Sequence, residues 1–567
     1  VLNLTGNSKQ RRKTTIRQNA TTGGISRNTK PVNMSPSQAF EVLNYGYVGE
    51  DVLGSLRDAQ MISGGYSADK FQDMIELNDV VYYSFKSGSN TKIRKIESAS
   101  DDFVVTLGAN RNIKFSKYAD FVYFVSGLGN ENVSAIYSKG QFMEVASVAN
   151  YQVNYTVENA SGGKAIVDYV DTDLNVLVIQ PPFEGSFSNG DTVSQPAISS
   201  TTTTMTDDIL NVYELPNAPS GDFIETMTSE GDSRIVVFNT QQYGKGSSLR
   251  SHTDKNFGIP FDDFSFTAGA EAPDEGGLTV SSDLAEVAAV DYYGNSVYQI
   301  NKNGMVLWGI GLRNVDGIGL LQNVITRHEE RNTDEFYDCV ATKYGLYYVS
   351  KSGIFAFTLK DGVPEHIDIS DSIKLLWETL VFDESTIVLF DKKLYIMCKK
   401  NSASSNNYIL IYDLEKRRWT SMDGSYDRLY ASSTTLYGMD HSNDRIVEVF
   451  GGAGYLQTNV TFREEDLGLP RNSKSVREIS IENLLGDTDT ATLLITGWDD
   501  NNVSGTLINK TLTGTSDTDI STFDYQSNSK PVRKFQIKYS ADQEEYNEFH
   551  SLDVDVEIYD KIYKNNI

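Results

Sequence analysis

From about Asp79 to Phe450 the chain repeats one unit: an aromatic or β-branched run, a short turn rich in Gly, Asn, Lys and Ser, and a second such run. Residues 346–350 turn at Lys351, Ser352 and Gly353 into 354–358, and residues 287–292 turn at Gly294 and Asn295 into 297–300. Residues 80–85 run up to a turn at Gly88, and residues 386–390 turn at Asp391, Lys392 and Lys393 into 394–398. Residues 408–414 end in the charged turn 415–418 ahead of Trp419. Antiparallel strands need only short turns, and evenly spaced hairpins with no helical period between them define an all-β chain. Spread over several hundred residues, they predict a β-propeller of about six or seven blades.

At 567 residues the chain is too long for a single core and should divide into two to four domains. A hydrophobic content of 39% is enough for packed interiors, and no run of about 18 apolar residues offers a membrane span. The opening VLNLTGNSKQRRK has no apolar stretch of the kind a signal peptide needs, so none is expected. Two cysteines, Cys339 and Cys398, fall in or beside strand-like runs and read as buried thiols.

Two regions depart from the repeat. Residues 151–157, 165–169 and 176–179 alternate strictly, and Gly190, Asp191, Thr192 and Val193 start another strand. This pattern suits a small β-barrel inserted over 146–200, with the polar run 199–204 as a linker back to the propeller. The insert would be either a docking surface or a passive spacer. Near the C-terminus Leu552, Val554, Val556 and Ile558 alternate with Asp553, Asp555 and Glu557, and Phe535, Ile537 and Tyr539 follow the same phase. One face is therefore apolar, which predicts a β-sandwich. The expected division is a basic N-terminal arm over 1–35, propeller over 36–145, the inserted barrel over 146–200, propeller again over 201–451 and the C-terminal sandwich over 452–567.

The net charge of −27 argues against a surface that grips nucleic acid, because neutralising phosphate needs clustered Lys and Arg. The charge is uneven. No acid precedes Glu41, whereas Lys9, Arg11, Arg12, Lys13, Arg17, Arg27 and Lys30 all fall before it. Such an arm should be disordered alone, and is either a solvated tail or a partner-binding segment for an acidic neighbour or a phosphate backbone.

Signals for catalysis and metal binding are weak. His252, His328, His366, His441 and His550 have no metal-ligand spacing, and there is no nucleophile elbow, phosphate loop or dinucleotide fingerprint. Propellers do host glycosidases, but the Ser-x-Asp-x-Gly-x-Thr-Trp box of sialidase blades is absent. Asp553, Asp555 and Glu557 lie along one pleat and do not converge as calcium ligands must, and Asp168, Asp171 and Asp173 lack the glycine and distal acid of a calcium loop. No catalytic residue, cofactor or metal is assigned, and no enzymatic activity is expected.

The stretch Gly23, Gly24, Ile25, then Pro36, Ala39, Leu43 and Asn44, then Gly54, Leu56 and Arg57, with Gly64 and Gly65, resembles the opening of the tail nozzle or hub proteins of short-tailed bacteriophages, also described as tail tubular protein B-like or packaged-DNA stabilisation-like. In that family a helix-like turn falls at the Ala/Leu/Asn segment; Asp58 stands where a proline is usual. YILIYDLEKRRW over 408–419 resembles a blade strand of that family and of kelch propellers. Phe257, Pro260, Asp262, Asp263 and Phe264 are similar to its loop entering a blade, and Gly468, Leu469, Pro470 and Lys474 resemble the start of its C-terminal strand-rich module. The resemblance implies a structural virion protein, assembled in the host cytoplasm into a homo-oligomeric ring, a hexamer, in the phage tail. Its partners would be the portal and adaptor complex, tail fibres or spikes, and double-stranded DNA in transient passage, with no stable membrane insertion. An acidic lumen would repel phosphate and let DNA pass; Asp440 and Asp444 around His441, and Glu329 and Glu330 beside His328, are lumenal candidates. The alternative is a kelch-like or adhesin-type propeller that binds a protein or glycan.

Overall fold

The computed structural model describes residues 11–18, 25, 39–48, 52–97, 100–108, 111–127, 129–198, 202–228, 233–252, 258–265, 276–280, 286–293, 296–302, 304–315, 318–328, 335–360, 363–467, 469–470, 472–485, 489–514, 521–527, 529–541 and 546–559. It is all-β, and its centre is a seven-bladed propeller. Blade 1 is Lys70–Leu77, Val80–Ser87, Asn90–Glu97 and Ser100–Leu107; blade 2 is Lys114–Tyr118, Phe121–Val125, Ser134–Tyr137 and Tyr213–Glu214. Blade 3 comprises Phe223–Met227, Arg234–Thr240, Gly244–Arg250 and Gly277–Val280, and blade 4 comprises Val287–Tyr293, Ser296–Asn301, Gly304–Val315 and Ile318–His328. Blade 5 is Phe336–Thr342, Gly345–Ser350, Ile354–Lys360 and Val363–Asp368, and blade 6 is Ile387–Phe390, Lys393–Cys398, Tyr408–Asp413 and Arg418–Asp423. Blade 7 takes Arg428–Ala431, Leu436–Asp440 and Arg445–Glu448 from late in the chain and its outermost strand, Gln60–Gly64, from early in it. The first strand of each blade packs beside that of the next, and Arg428–Ala431 returns to Lys70–Leu77 to close the circle.

The hairpins read from sequence are the blades. Residues 346–350 and 354–358 pair with Leu346 opposite Phe357, and 394–398 pair with 408–412. Both cysteines are buried free thiols. Between blades, apolar layers such as Tyr82, Ile93, Val122, Phe124 and Ile136 fill the wedge. Among the described residues no helix is long and apolar enough to cross a membrane.

The insert between the third and fourth strands of blade 2 is a six-stranded antiparallel sheet with its own core of Met143, Val157, Val167, Leu177, Phe187 and Val193. It is not a closed barrel. The sheet curls until its two ends meet at isolated bridges, Val145 with Met205 and Phe142 with Leu210, with no continuous ladder there. Residues 151–155 form no strand; Tyr151 instead donates its hydroxyl to the Val193 carbonyl at 2.7 Å. The expected linker contains a strand, Thr202–Thr204, which pairs with Thr192–Ser194.

The C-terminal region is a sandwich, but its strands come from both ends of the chain. One sheet runs Ala39–Leu43, Thr458–Glu465, Lys534–Ala541, Thr490–Trp498 and Ser504–Thr513, joined to blade 6 at a parallel bridge between Leu43 and Ser421. The other runs Tyr45–Val48, Val52–Ser55, Glu548–Tyr559, Ser473–Leu484 and Ser521–Gln526, with Arg11–Gln18 added along Glu548–Tyr559. Leu552, Val554 and Val556 face Phe535, Ile537 and Tyr539 across an apolar core, and that core continues into Trp377, Leu380 and Trp419 beneath blades 5 and 6.

Three expectations change accordingly. Residues 39–55 belong to the sandwich, not the propeller, whose first strand begins at Gln60. The helix-like turn is the strand Ala39–Leu43, because Val42 and Ala39 are fully buried against the C-terminal strands and a helix could not join that ladder. The arm is not free over 11–18: it is an edge strand whose Ile16 is buried while Lys13 meets Asp555 at 2.5 Å.

Candidate functional site: the propeller axis

The first strand of every blade contributes to one axial cavity of about 550 Å3. It is charged: Asp73, Glu225, Asp291 and Asp338 line it together with Lys114, Lys117 and Arg428. Three of these acids follow a phenylalanine by two positions, in Phe71-Gln72-Asp73, Phe223-Ile224-Glu225 and Phe336-Tyr337-Asp338. A β-bulge separates Phe71 from Asp73 and another separates Phe336 from Asp338. A bulge re-aims the side chain that follows it; here Phe71 and Phe336 are buried in blade cores while the carboxylates line the axis.

The acids act as joints between blades. Asp73 accepts the backbone N–H of Phe115 at 2.8 Å, Asp291 that of Ala341 at 2.5 Å, and Asp338 that of Ile387 at 3.0 Å. Asp427 accepts that of Phe71 at 2.8 Å. The remaining junctions use other chemistry. The Ser116 and Thr226 hydroxyls lie 2.6 Å apart, Asn239 accepts the Val287 N–H at 3.0 Å, and Arg428 donates to the Ser385 carbonyl at 3.3 Å. Where the inner strands of neighbouring blades meet, a carboxylate accepting a backbone N–H supplies a charge-assisted hydrogen bond.

Burial raises the proton affinity of Glu225, Asp291 and Asp338. Burial pushes Glu225 well above the usual carboxylate range, and the charges of Asp291 and Asp73 push further against the pull of Lys114. Burial takes Asp291 up to about 7, opposed by the Ala341 and Tyr292 N–H groups and assisted by Asp338. Asp338 is raised by burial although Lys114 and Arg428 lower it. Burial, with Asp291 and Asp338 nearby, pushes the Cys339 thiol well above its ordinary value, so it is no thiolate nucleophile at neutral pH.

Elsewhere, His252 Nε2 lies 3.1 Å from Ser265 Oγ, and Asp263 Oδ2 is 3.7 Å from the same nitrogen. A catalytic relay places base and orienting acid on opposite ring nitrogens, so this cluster cannot work as a triad. Among the described residues no group of three or more His, Cys, Asp and Glu is placed to hold a metal ion. Asp171, in the loop considered for calcium, accepts instead from the Asp173, Leu174 and Ile259 N–H groups, tying the insert to blade 3. Asp168 accepts from Tyr137 and Gln180.

Of the basic residues singled out in sequence, Lys9, Arg27 and Lys30 lie outside the described residues, and Arg11, Arg12 and Arg17 are placed by backbone on the edge strand. Lys13 and Thr15 both reach Asp555, and Arg477 pairs with Glu557, so cations of the same chain meet the acid face of the last strand. Asp440, a lumenal candidate, is buried and caps a turn by accepting from Asn443 and Arg445. Asp444 accepts the Ala68 N–H at 2.7 Å. Glu329 and Glu330 lie outside the described residues. The axial acids were not singled out from sequence, although the Phe-x-Asp/Glu recurrence in first strands was the signal that marks them.

No family model and no curated protein matches this chain. Among solved structures it is similar to a putative 6-phosphogluconolactonase from Bacteroides fragilis, at 12% identity over 68% of this chain and 96% of that one, with a TM-score of 0.32. A putative 6-phosphogluconolactonase from Bacteroides uniformis aligns at 10% identity over 77% and 96%, TM-score 0.32. An exo-beta-1,3-galactanase from Phanerochaete chrysosporium aligns at 8% identity over 87% and 100%, TM-score 0.24. The propeller assignment rests on the topology of the chain's own sheets.

Proposed function

We propose that this chain is a structural virion protein of a short-tailed bacteriophage, a nozzle or hub subunit whose ring forms the lower part of the DNA ejection channel, and that it is not an enzyme. The sequence resemblance suggests this reading, and one structural observation carries it: segments far apart in sequence, 11–18, 39–64 and 548–559, are sewn into the same body. The strand Arg11–Gln18 runs antiparallel to Glu548–Tyr559, Tyr45 donates its hydroxyl to Asn547 at 2.8 Å, and Gln60–Gly64 completes blade 7. A subunit in the wall of a channel that carries DNA must not unravel from an end. Here a pull on the chain before residue 11 or after residue 559 meets the ladder between 11–18 and 552–559 before any blade opens. The axial acids serve the same purpose, since they hold the blades together from inside the ring. The net charge of −27 suits a lumen that repels phosphate.

Electron microscopy of the purified full chain tests the reading. A closed ring with a central hole is expected, whereas a monomer that binds a glycan or a protein through its loops would replace this reading with an adhesin-type one.

A further inference from the structure

Blade 4 ends in a ribbon that outgrows its sheet. Gly304–Val315 and Ile318–His328 pair in unbroken antiparallel register from Met305 opposite His328 to Val315 opposite Ile318. The second strand, Ser296–Asn301, covers only residues 304–308, ending with Val297 opposite Trp308. Beyond Trp308 the ribbon continues for seven residues per strand, roughly 23 Å at the usual rise. Among the described residues one edge of 309–315 and one edge of 318–328 have no strand partner.

A lone two-stranded ribbon is marginal in water, and a long apolar edge strand is a template for another chain unless Lys, Pro or a bulge blunts it. Nothing of the kind is present. Residues 304–328 contain no Lys and no Pro, the register has no shift, and Ile310, Leu312, Val315, Ile318, Leu320, Leu321 and Val324 dominate the projecting part. Charge points to the occupant. Residues 308–325 carry one Arg, Arg313, and one Asp, Asp316, and so are neutral in a chain of net charge −27. Copies of so acidic a chain repel one another over most of their surface, and this neutral ribbon is where they can approach without that cost. A single ribbon entering lipid would leave both edges unsatisfied. A strand of another copy satisfies them.

The two free edges also run in opposite chain directions, as a head-to-tail contact requires. We propose that the ribbon of each copy pairs through its 318–324 edge with the 309–315 edge of the next copy, so that a ring of copies closes into a cylinder of antiparallel strands with no edge left over. This rests on the ring reading above and names the contact that makes the ring.

The test uses the full chain with residues 309–324 replaced by Asn-Gly, which leaves Trp308 and Ile325 joined by a tight hairpin turn. Sedimentation and electron microscopy should find the unchanged chain as a ring and the shortened chain as a monomer with the same far-UV circular dichroism. A second variant, Leu320→Glu, places a charge in the proposed contact without shortening the chain, and should raise the concentration for half-assembly by at least about tenfold. A ring of unchanged copy number from both variants would overturn the ribbon contact and leave the ring reading standing. An unchanged chain that stays monomeric would overturn both. Binding of the monomer to phosphatidylcholine–phosphatidylglycerol vesicles, lost on shortening, would overturn the copy–copy contact in favour of lipid.

Discussion

Asp427 and Phe71, 356 positions apart in sequence, are joined across the closure of the propeller: the carboxylate accepts the Phe71 backbone N–H at 2.8 Å. The second oxygen of Asp427 lies 2.5 Å from His441 Nδ1, so the carboxylate is held from both sides. Burial raises its proton affinity, and the Phe71 N–H and His441 oppose that. Among the described residues blade 1 and blade 7 share no backbone ladder, which makes this hydrogen bond, with that from the Glu76 N–H to the Tyr430 hydroxyl at 3.0 Å, a principal polar tie at the seam.

Removing that tie should weaken the whole ring. Asp427→Ala leaves the Phe71 N–H buried without an acceptor, an expected loss of about 1–3 kcal/mol. Asp427→Asn keeps an acceptor and should lose less. Urea unfolding of the two variants measures the difference, and equal loss in both would show that the carboxylate's charge, not the hydrogen bond, closes the seam.

Asp291 should make stability depend on pH near neutrality. Its folded value of about 7 lies above its ordinary 3.8, so the folded chain binds the extra proton between these values. Stability from this group is therefore full at low pH and falls as pH rises towards 7. Asp291→Asn cannot ionise and still offers an oxygen to the Ala341 N–H. Its unfolding midpoint should change less between pH 5 and pH 8 than that of the unchanged chain, and should equal or exceed it at pH 8.

Glu384 has the opposite sign. Burial would raise it, but hydrogen bonds and charge from Lys70 and Lys399 outweigh burial and hold it at about 2, below the ordinary 4.5. Its stabilisation is present above 4.5 and is lost as pH falls towards 2. In Glu384→Gln the acid limb of the stability profile between those values should flatten, and above pH 6 the variant should be less stable than the unchanged chain by an amount that no longer varies with pH.

Gly140 stands where the chain leaves blade 2 for the insert. A Cβ there would sit 1.9 Å from the Ile179 carbonyl oxygen, which belongs to the insert's own sheet backbone and cannot move aside cheaply. Gly140→Ala should loosen the insert while the blades hold. Limited proteolysis is expected to cut first within 141–204, and the main unfolding transition should shift by only a few degrees.

The edge strand over 11–18 makes a test of what the N-terminal segment does. Ile16 is buried in the sandwich, and Ile16→Ala should cost about 2 kcal/mol. Lys13→Ala removes only an exposed ion pair with Asp555 and should leave the melting temperature unchanged. Deleting residues 1–22 should then lower thermal stability, even where the solution state of the protein is preserved.

The hairpins were legible because a strand with one buried face writes its period of two directly into the sequence, as Leu552, Val554 and Val556 do, and because short turns fix which runs are neighbours. The fold class, the buried thiols of Cys339 and Cys398 and the sandwich pattern near the C-terminus followed from that local signal. What lay beyond it was pairing at a distance. Nothing in residues 11–18, 39–43 or 53–54 states that their partners lie more than about 400 positions later, because a ladder hydrogen bond joins backbones and is blind to side-chain identity. Asp73, Asp291 and Asp338 were not singled out in the sequence; only the closing of seven sheets around one axis brings each carboxylate to a neighbouring blade's N–H. Alternation and turns are properties of a few consecutive residues, whereas desolvation and closure belong to the assembled ring, and so the sequence determined the strands and the tertiary structure decided what they hold.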